Sequence, residues 1–159
     1  QCALEKACAT STGNLIRMKT LFHVLAINLS LLMVQGITIA ADLPGTVTHI
    51  RDGDTIEVGK IPIRLNGVSA PELDEPLGQQ SKQFMRDLVF GKVVRCELNG
   101  KRTYDRFAGV CYLGDMDVGV AVIEAGLALD CLRYSGGKYM AVEKAAVREV
   151  IKLPSYCEK

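Results

Sequence analysis

The chain has 159 residues, with 19 Lys and Arg against 18 Asp and Glu for a formal net charge of +1, and it is 48% hydrophobic and 23% charged. This balance is typical of one globular domain and excludes a mostly disordered chain, a collagen-like fibre and a coiled coil. It also excludes a protein that holds nucleic acid by bulk positive charge, so any such contact must depend on a few placed cations.

The N-terminal part of the chain is predicted to lie outside the folded domain. A positively charged start precedes an apolar run over 21–41, which ends in Ala40 and Ala41. This pattern is typical of a secretory signal peptide cleaved after one of these alanines. An uncleaved membrane anchor is the alternative, because the run is about the 20 residues that a span needs. We expect a secreted or periplasmic protein with an upstream segment over 1–17, a signal peptide over 18–41 and a folded domain over 42–159.

Three short strands are predicted to open the domain as a meander. Residues 47–50, 55–58 and 61–65 form β-type patterns, separated by the turn signals Asp52-Gly53-Asp54 and Gly59-Lys60. Strands joined by such tight turns pair in antiparallel fashion.

A helix and two further strands are expected next. Residues 79–90 place apolar side chains on one face, and Gly91 stops the helix. Residues 93–98 and 107–113 form the fourth and fifth strands, and Asn99-Gly100 between them is a hairpin signal.

Two more helices are predicted in the last third of the chain. Asp117 is placed to cap a second helix over 117–125, which Gly126 ends, and a third helix is expected over 139–152. Five antiparallel strands with an intervening helix predict an α+β, mainly β fold, namely a five-stranded OB barrel with three helices.

Four cysteines belong to the folded domain: Cys96, Cys111, Cys131 and Cys157. In an exported domain they predict two disulfides, for which three connectivities exist. We favour Cys96–Cys111, which lie on the strands flanking Asn99-Gly100, with Cys131–Cys157, which follow the second and third helices. A zinc site is disfavoured because no pair has the two-residue spacing typical of such sites.

The turn between the first two strands carries two carboxylates, Asp52 and Asp54. Such a turn offers hard oxygen ligands to a divalent cation. Asp-Gly is also an ordinary turn sequence, so the turn alone does not distinguish the two interpretations.

Arg64, Glu72 and Arg106 complete a set of side chains suited to phosphate chemistry. Taken alone, Glu72 is expected to be a solvated loop residue, and Arg106 is expected to form a salt bridge with Asp105 or another surface carboxylate. Together, one carboxylate can activate water and two guanidiniums can bind phosphate oxygens in forked geometry. The set indicates a phosphodiesterase.

Four segments match one known family in order and spacing along the whole folded domain. They are 50–55, 63–72, 104–106 and 124–128. The chain thereby resembles the thermonuclease family, also called staphylococcal or micrococcal nuclease-like, in its secreted bacterial branch. The resemblance implies a five-stranded OB barrel with three helices, in agreement with the pattern of predicted elements.

The resemblance also implies roles for individual residues. Arg64 and Arg106 match the family's two catalytic arginines, and Glu72 matches its catalytic glutamate, usually described as a general base. Tyr134 lies near a position where the family places a tyrosine against the nucleotide.

A calcium site is implied in the same way. Asp54 matches the family's calcium-binding aspartate, and Ala70 matches a residue whose backbone carbonyl binds the metal, with Asp52 and Ser69 as further candidate ligands. The family often has Asp where this chain has Ser69. Because fewer charges hold a hard cation more weakly, the affinity and identity of the metal are open.

The function expected from the resemblance is a secreted, metal-dependent endonuclease that hydrolyses phosphodiester bonds of DNA and RNA with little sequence preference. The alternative is a non-catalytic OB-fold module that binds nucleic acid without cutting it. No stable protein partner is implied, and we expect a monomer.

Overall fold

Five strands close into a barrel in the computed structural model, which describes residues 41–158. They are β1 (Ala41–Ile50), β2 (Thr55–Val58), β3 (Ile61–Leu65), β5 (Val93–Thr103) and β6 (Arg106–Leu113). The sheet runs β3-β2-β1-β5-β6, and a parallel pairing of β3 with β6 closes it. The mainly β barrel predicted from the sequence is confirmed. The predicted upstream segment, and the predicted signal peptide up to residue 40, lie outside the described residues.

Shorter elements cover and connect the barrel. They are β4 (Val68–Ser69), α1 (Gly78–Val89), β7 (Met116–Asp117), α2 (Val118–Glu124), β8 (Leu129–Asp130), α3 (Leu132–Ser135) and two 3-10 helices, Ala145–Glu149 and Ser155–Cys157. β4 pairs with β8 in a small second sheet. Over 41–158, no helix combines the length and the apolar character that crossing a membrane requires.

The core fills the barrel and the space under α1 and α2. Ile56 and Ile63 point into the barrel and are fully buried, as are Met85 of α1 and Ile123 of α2. The N-terminus of α2 is capped as predicted, because the Asp117 carboxylate accepts hydrogen bonds from the next helical N–H groups.

The hairpin between β5 and β6 turns later than the sequence predicts. Asn99-Gly100 does not form the turn, because β5 continues to Thr103 and the chain reverses at Tyr104-Asp105. The left-handed φ of +76° at Gly100 falls instead within an irregularity of the β5–β6 register between Leu98 and Arg102. The longer hairpin places the turn directly before Arg106.

The third helix also differs from the prediction. The structure places a single helical turn at Leu132–Ser135, and the predicted helix over 139–152 is wrong because that segment holds only turns and the 3-10 helix Ala145–Glu149. The four residues of its expected apolar face, Val142, Val147, Val150 and Ile151, are all β-branched, which lowers helix propensity. Moreover, the Glu143 carboxylate within this segment accepts a hydrogen bond from the Asp130 N–H of β8 at 2.6 Å.

Two disulfides connect the four cysteines of the described chain. Cys96 and Cys111 face each other across the β5–β6 ladder and are bonded in the core. Cys131, directly before α3, is bonded to Cys157 near the C-terminus. These are the two pairs favoured from the sequence.

Candidate active site

The closure of the barrel brings the two candidate catalytic arginines together. Arg64 of β3 is the register partner of Thr55 on one side and of Ala108 on the other. Arg106 begins β6, two residues before Ala108. Residues more than forty positions apart in the sequence therefore meet because β3 and β6 pair in parallel.

A chain of hydrogen bonds joins the arginines through the acidic turn. Arg64 Nη1 donates to Asp54 Oδ1 at 2.6 Å, and Thr55 Oγ1 donates to the same oxygen at 3.0 Å. Arg106 Nη1 donates to Thr55 Oγ1 at 3.2 Å. Thr55, for which the sequence predicts no role, follows Asp54 in the turn motif, and its hydroxyl links the Asp54–Arg64 pair to Arg106.

Asp105 does not take Arg106 as its partner. Its carboxylate accepts a hydrogen bond from Arg51 Nη1 at 2.7 Å, and this bond lowers the pKa of Asp105. Arg51 also binds Glu57, so the hairpin turn before Arg106 is tied to β2. Within residues 41–158, Arg106 forms no ion pair, and its guanidinium remains available to a ligand.

Glu72 lies in a short loop between β4 and α1, after the buried Pro71. Its backbone is fixed, because its N–H donates to the Glu75 carboxylate at 2.8 Å and its carbonyl accepts from the Glu75 N–H at 2.9 Å. The start of α1 also packs tightly here, since a Cβ at Gly78 would overlap the Glu72 carbonyl oxygen. The Glu72 side chain is exposed and makes no ion pair in the part of the chain that is described.

The predicted side chains share one cleft of about 390 Å³. Asp52, Arg64, Glu72, Arg106 and Tyr134 all line it. An exposed carboxylate therefore lies in the same cleft as two cations, which is an arrangement that can bind a phosphate and activate a water beside it.

The remaining predicted residues lie beneath or beside this cleft. Asp54 is buried, and Asp54 Oδ2 accepts a hydrogen bond from the Ala70 N–H at 3.1 Å. Ser69 is buried in β4. Tyr134 is held at the rim on α3, where its carbonyl accepts a hydrogen bond from the Asn66 side chain at 3.0 Å.

Burial raises the pKa of Asp54 to about 7. The positive charge of Arg64 opposes this effect, and the neighbouring carboxylate of Asp52 adds to it. Desolvation disfavours the ionised form, so a second positive charge at this turn would stabilise the Asp54 carboxylate.

Comparisons with known proteins identify the family of this chain. A family model described as "Staphylococcal nuclease homologue" matches residues 62–150, which include all three proposed catalytic side chains. The chain belongs to the staphylococcal nuclease homologue family.

Three relatives agree with this membership. An "Uncharacterized endonuclease" of Escherichia coli O157:H7 is 33% identical over 70% of this chain and 76% of its own length. An "Uncharacterized endonuclease" of Haemophilus influenzae is 34% identical over 56% of this chain and 53% of its own. A "Micrococcal nuclease" of Shigella flexneri is 32% identical over 55% and 52%. The chain spans about half the length of the last two relatives. As a staphylococcal nuclease homologue, it is assigned to the hydrolytic nucleases.

This staphylococcal nuclease homologue offers a divalent cation few charged ligands. The turn supplies the carboxylates of Asp52 and Asp54, and both Asp54 oxygens already accept hydrogen bonds from the protein. Ser69 contributes a neutral hydroxyl, and residues 41–158 contain no cluster of three or more His, Cys, Asp and Glu side chains able to hold a metal. Calcium takes six to eight oxygens, so most ligands would have to come from backbone, water or substrate.

Proposed function

We propose that this nuclease is an exported, divalent-cation-dependent endonuclease that cuts DNA and RNA with little sequence preference. The observation that carries the proposal is the cleft in which Arg64, Arg106 and Glu72 come together. The two arginines suit the phosphates that all sequences share, which supports cleavage with little sequence preference.

The reaction follows from these three side chains. The two guanidiniums bind the oxygens of the scissile phosphate and stabilise the charge that grows there in the transition state, at about 2–4 kcal/mol for each contact. Glu72 accepts a proton from the attacking water, and its lack of an ion pair within 41–158 leaves it free to do so. Thr55 and Asp54 hold the guanidiniums in place.

A calcium-like cation is proposed as cofactor, with Asp54 as principal ligand and with Asp52, Ser69 and the Ala70 carbonyl as further candidates. Bound there, it would supply a positive charge that polarises the phosphate. Burial raises the pKa of Asp54 in the protein alone, and a bound cation would favour its ionised carboxylate.

Cleavage of plasmid DNA and of a folded RNA by the purified domain, first with calcium and then with EDTA, tests the proposal. We expect both substrates to be cut with calcium and protected by EDTA. Tight binding without any cleavage would contradict the proposal and would favour a binding module built on the same barrel.

Export is proposed from the predicted signal peptide and from the disulfides, because such bonds persist in oxidising compartments. Peptide mapping under non-reducing conditions should recover Cys96 linked to Cys111 and Cys131 linked to Cys157 from secreted or periplasmic material. Four free thiols in that material would contradict the proposal of export.

A further inference from the structure

The C-terminal segment forms part of the cleft. The 3-10 helix Ser155–Cys157 carries Tyr156, which lines the cleft that holds Arg64 and Arg106. Its neighbour Cys157 is fully buried, whereas Tyr156 is 49% exposed. The segment is thus anchored on one side and presents an aromatic ring on the other.

One disulfide positions two aromatic rings at this cleft. Cys157 is bonded to Cys131, which also lines the cleft and directly precedes the α3 turn that carries Tyr134. Tyr134 is 46% exposed, close to the value for Tyr156. The Cys131–Cys157 bond therefore fixes the chain shortly before Tyr134 and directly after Tyr156.

Among the described residues, neither core packing nor a hydrogen bond holds the Tyr156 side chain. Its ring is not part of the hydrophobic core, and its hydroxyl makes no hydrogen bond to any other residue that the structure describes. A half-exposed tyrosine in a cleft with two arginines is instead suited to a ligand that has both phosphates and flat rings. Stacking on aromatic side chains tolerates every base, because each base has a π-face.

We propose that Tyr156 is a substrate-binding residue that stacks on a base of single-stranded nucleic acid, and that the Cys131–Cys157 bond positions it for this contact. The inference rests on the proposed nuclease function and adds a second aromatic contact to the one expected at Tyr134. A stacked base must leave the duplex, so Tyr156 favours single-stranded or locally unpaired substrate.

The test measures binding separately from turnover. In a Glu72→Gln background, the Kd for a fluorescent oligothymidylate of about ten nucleotides is compared among Tyr156→Ala, Tyr156→Phe and Met140→Ala. Met140 is 61% exposed and does not line the cleft, so it is the matched surface control. We expect Tyr156→Ala to weaken binding at least about fivefold, which corresponds to about 1 kcal/mol. Tyr156→Phe and Met140→Ala should stay within about twofold of the background.

A second comparison tests the positioning by the disulfide. Cys131→Ala/Cys157→Ala should weaken binding at least as much as Tyr156→Ala, because the bond also lies directly before the turn that carries Tyr134, and adding Tyr156→Ala to it should cause little further loss. Cys96→Ala/Cys111→Ala removes a disulfide from the core and is the control for stability alone, with an unchanged Kd at a temperature where circular dichroism shows both variants folded.

One result would overturn the role of Tyr156, and another would overturn the proposed function on which that role rests. Equal affinities for Tyr156→Ala and Met140→Ala, in a protein that binds and cuts nucleic acid, would overturn the role of Tyr156 alone. A wild-type domain that neither binds nor cuts would overturn the proposed function itself. With active enzyme, the inference also requires that Tyr156→Ala raises KM with kcat within about twofold of wild type.

Discussion

Asp130→Asn is expected to stabilise the protein at neutral pH. Asp130 in β8 is 1% exposed, and neither of its carboxylate oxygens has a hydrogen-bond partner among the described residues. Burial raises its pKa, and the nearby carboxylate of Glu143 adds to this effect, whereas the neighbouring Ser135 hydroxyl, which does not reach hydrogen-bonding geometry, and Arg148 oppose it. The folded protein therefore holds a proton at Asp130 that the unfolded chain releases more readily.

The sign of the pH dependence follows from that difference. Stability falls wherever the folded state binds more protons than the unfolded state, so the contribution of Asp130 to wild-type stability should decline as pH rises from about 4 through its raised pKa. The neutral amide of Asp130→Asn does not titrate. The buried amide is as unpaired as the protonated carboxyl, so the two proteins should differ least near pH 4. The advantage of the variant should then grow with pH, by about 1.4 kcal/mol for each unit by which folding raises the pKa of Asp130, and each kcal/mol corresponds to about 4 °C in Tm for a domain of this size.

Thermal unfolding followed by circular dichroism across pH 4–8 measures this difference. Asp115→Asn is the matched control, because Asp115 is exposed in the turn between β6 and β7; its Tm should follow that of wild type at every pH. The reasoning would be refuted if Asp130→Asn were less stable than wild type by the same amount at all pH values. That result would show that the Asp130 carboxylate is bonded to a partner in the folded protein.

Three further substitutions test the site. Arg64→Ala should lower kcat at least about 100-fold and also destabilise the protein by about 3–5 kcal/mol, because it leaves the buried Asp54 without its partner; activity assays and urea unfolding report the two losses separately. Ser69→Asp should tighten calcium binding in a calorimetric titration by adding a carboxylate to the donor set, and an unchanged affinity would show that position 69 does not face the cation. Gly78→Ala should lower kcat by displacing the Glu72 backbone, with steady-state kinetics as the readout and native activity as the contradicting result.

Local patterns predicted those parts of the fold that local chemistry determines. β2 and β3 have the predicted bounds because a tight turn flanks each strand, and α2 begins where Asp117 caps it. Asn99-Gly100 predicts a turn that does not form, because a left-handed glycine is as compatible with a bulge as with a turn. Which of the two forms depends on pairing over the whole β5–β6 ladder, which no short segment specifies.

The sequence predicts which of these side chains meet in one cleft but not the hydrogen bonds between them. Arg64, Glu72 and Arg106 were found by residue type and resemblance, and they do share a cleft. Thr55 was missed because its role depends on the β3–β6 pairing that brings Arg106 to it. Tyr156 was missed because the path of the C-terminal segment is set by its disulfide, and a signal for its role exists only once that path is known.

The central claim is that Glu72 removes the proton from the attacking water in the cleft. The most direct test is the single-turnover rate for a defined single-stranded oligonucleotide with Glu72→Gln, beside Asp74→Asn, an exposed neutral substitution two residues along the same loop. We expect Glu72→Gln to lower the rate by about 10²–10⁴-fold with substrate affinity preserved, and Asp74→Asn to match wild type. A near-native rate for Glu72→Gln in a folded protein would contradict the assignment of Glu72 and the mechanism built on it.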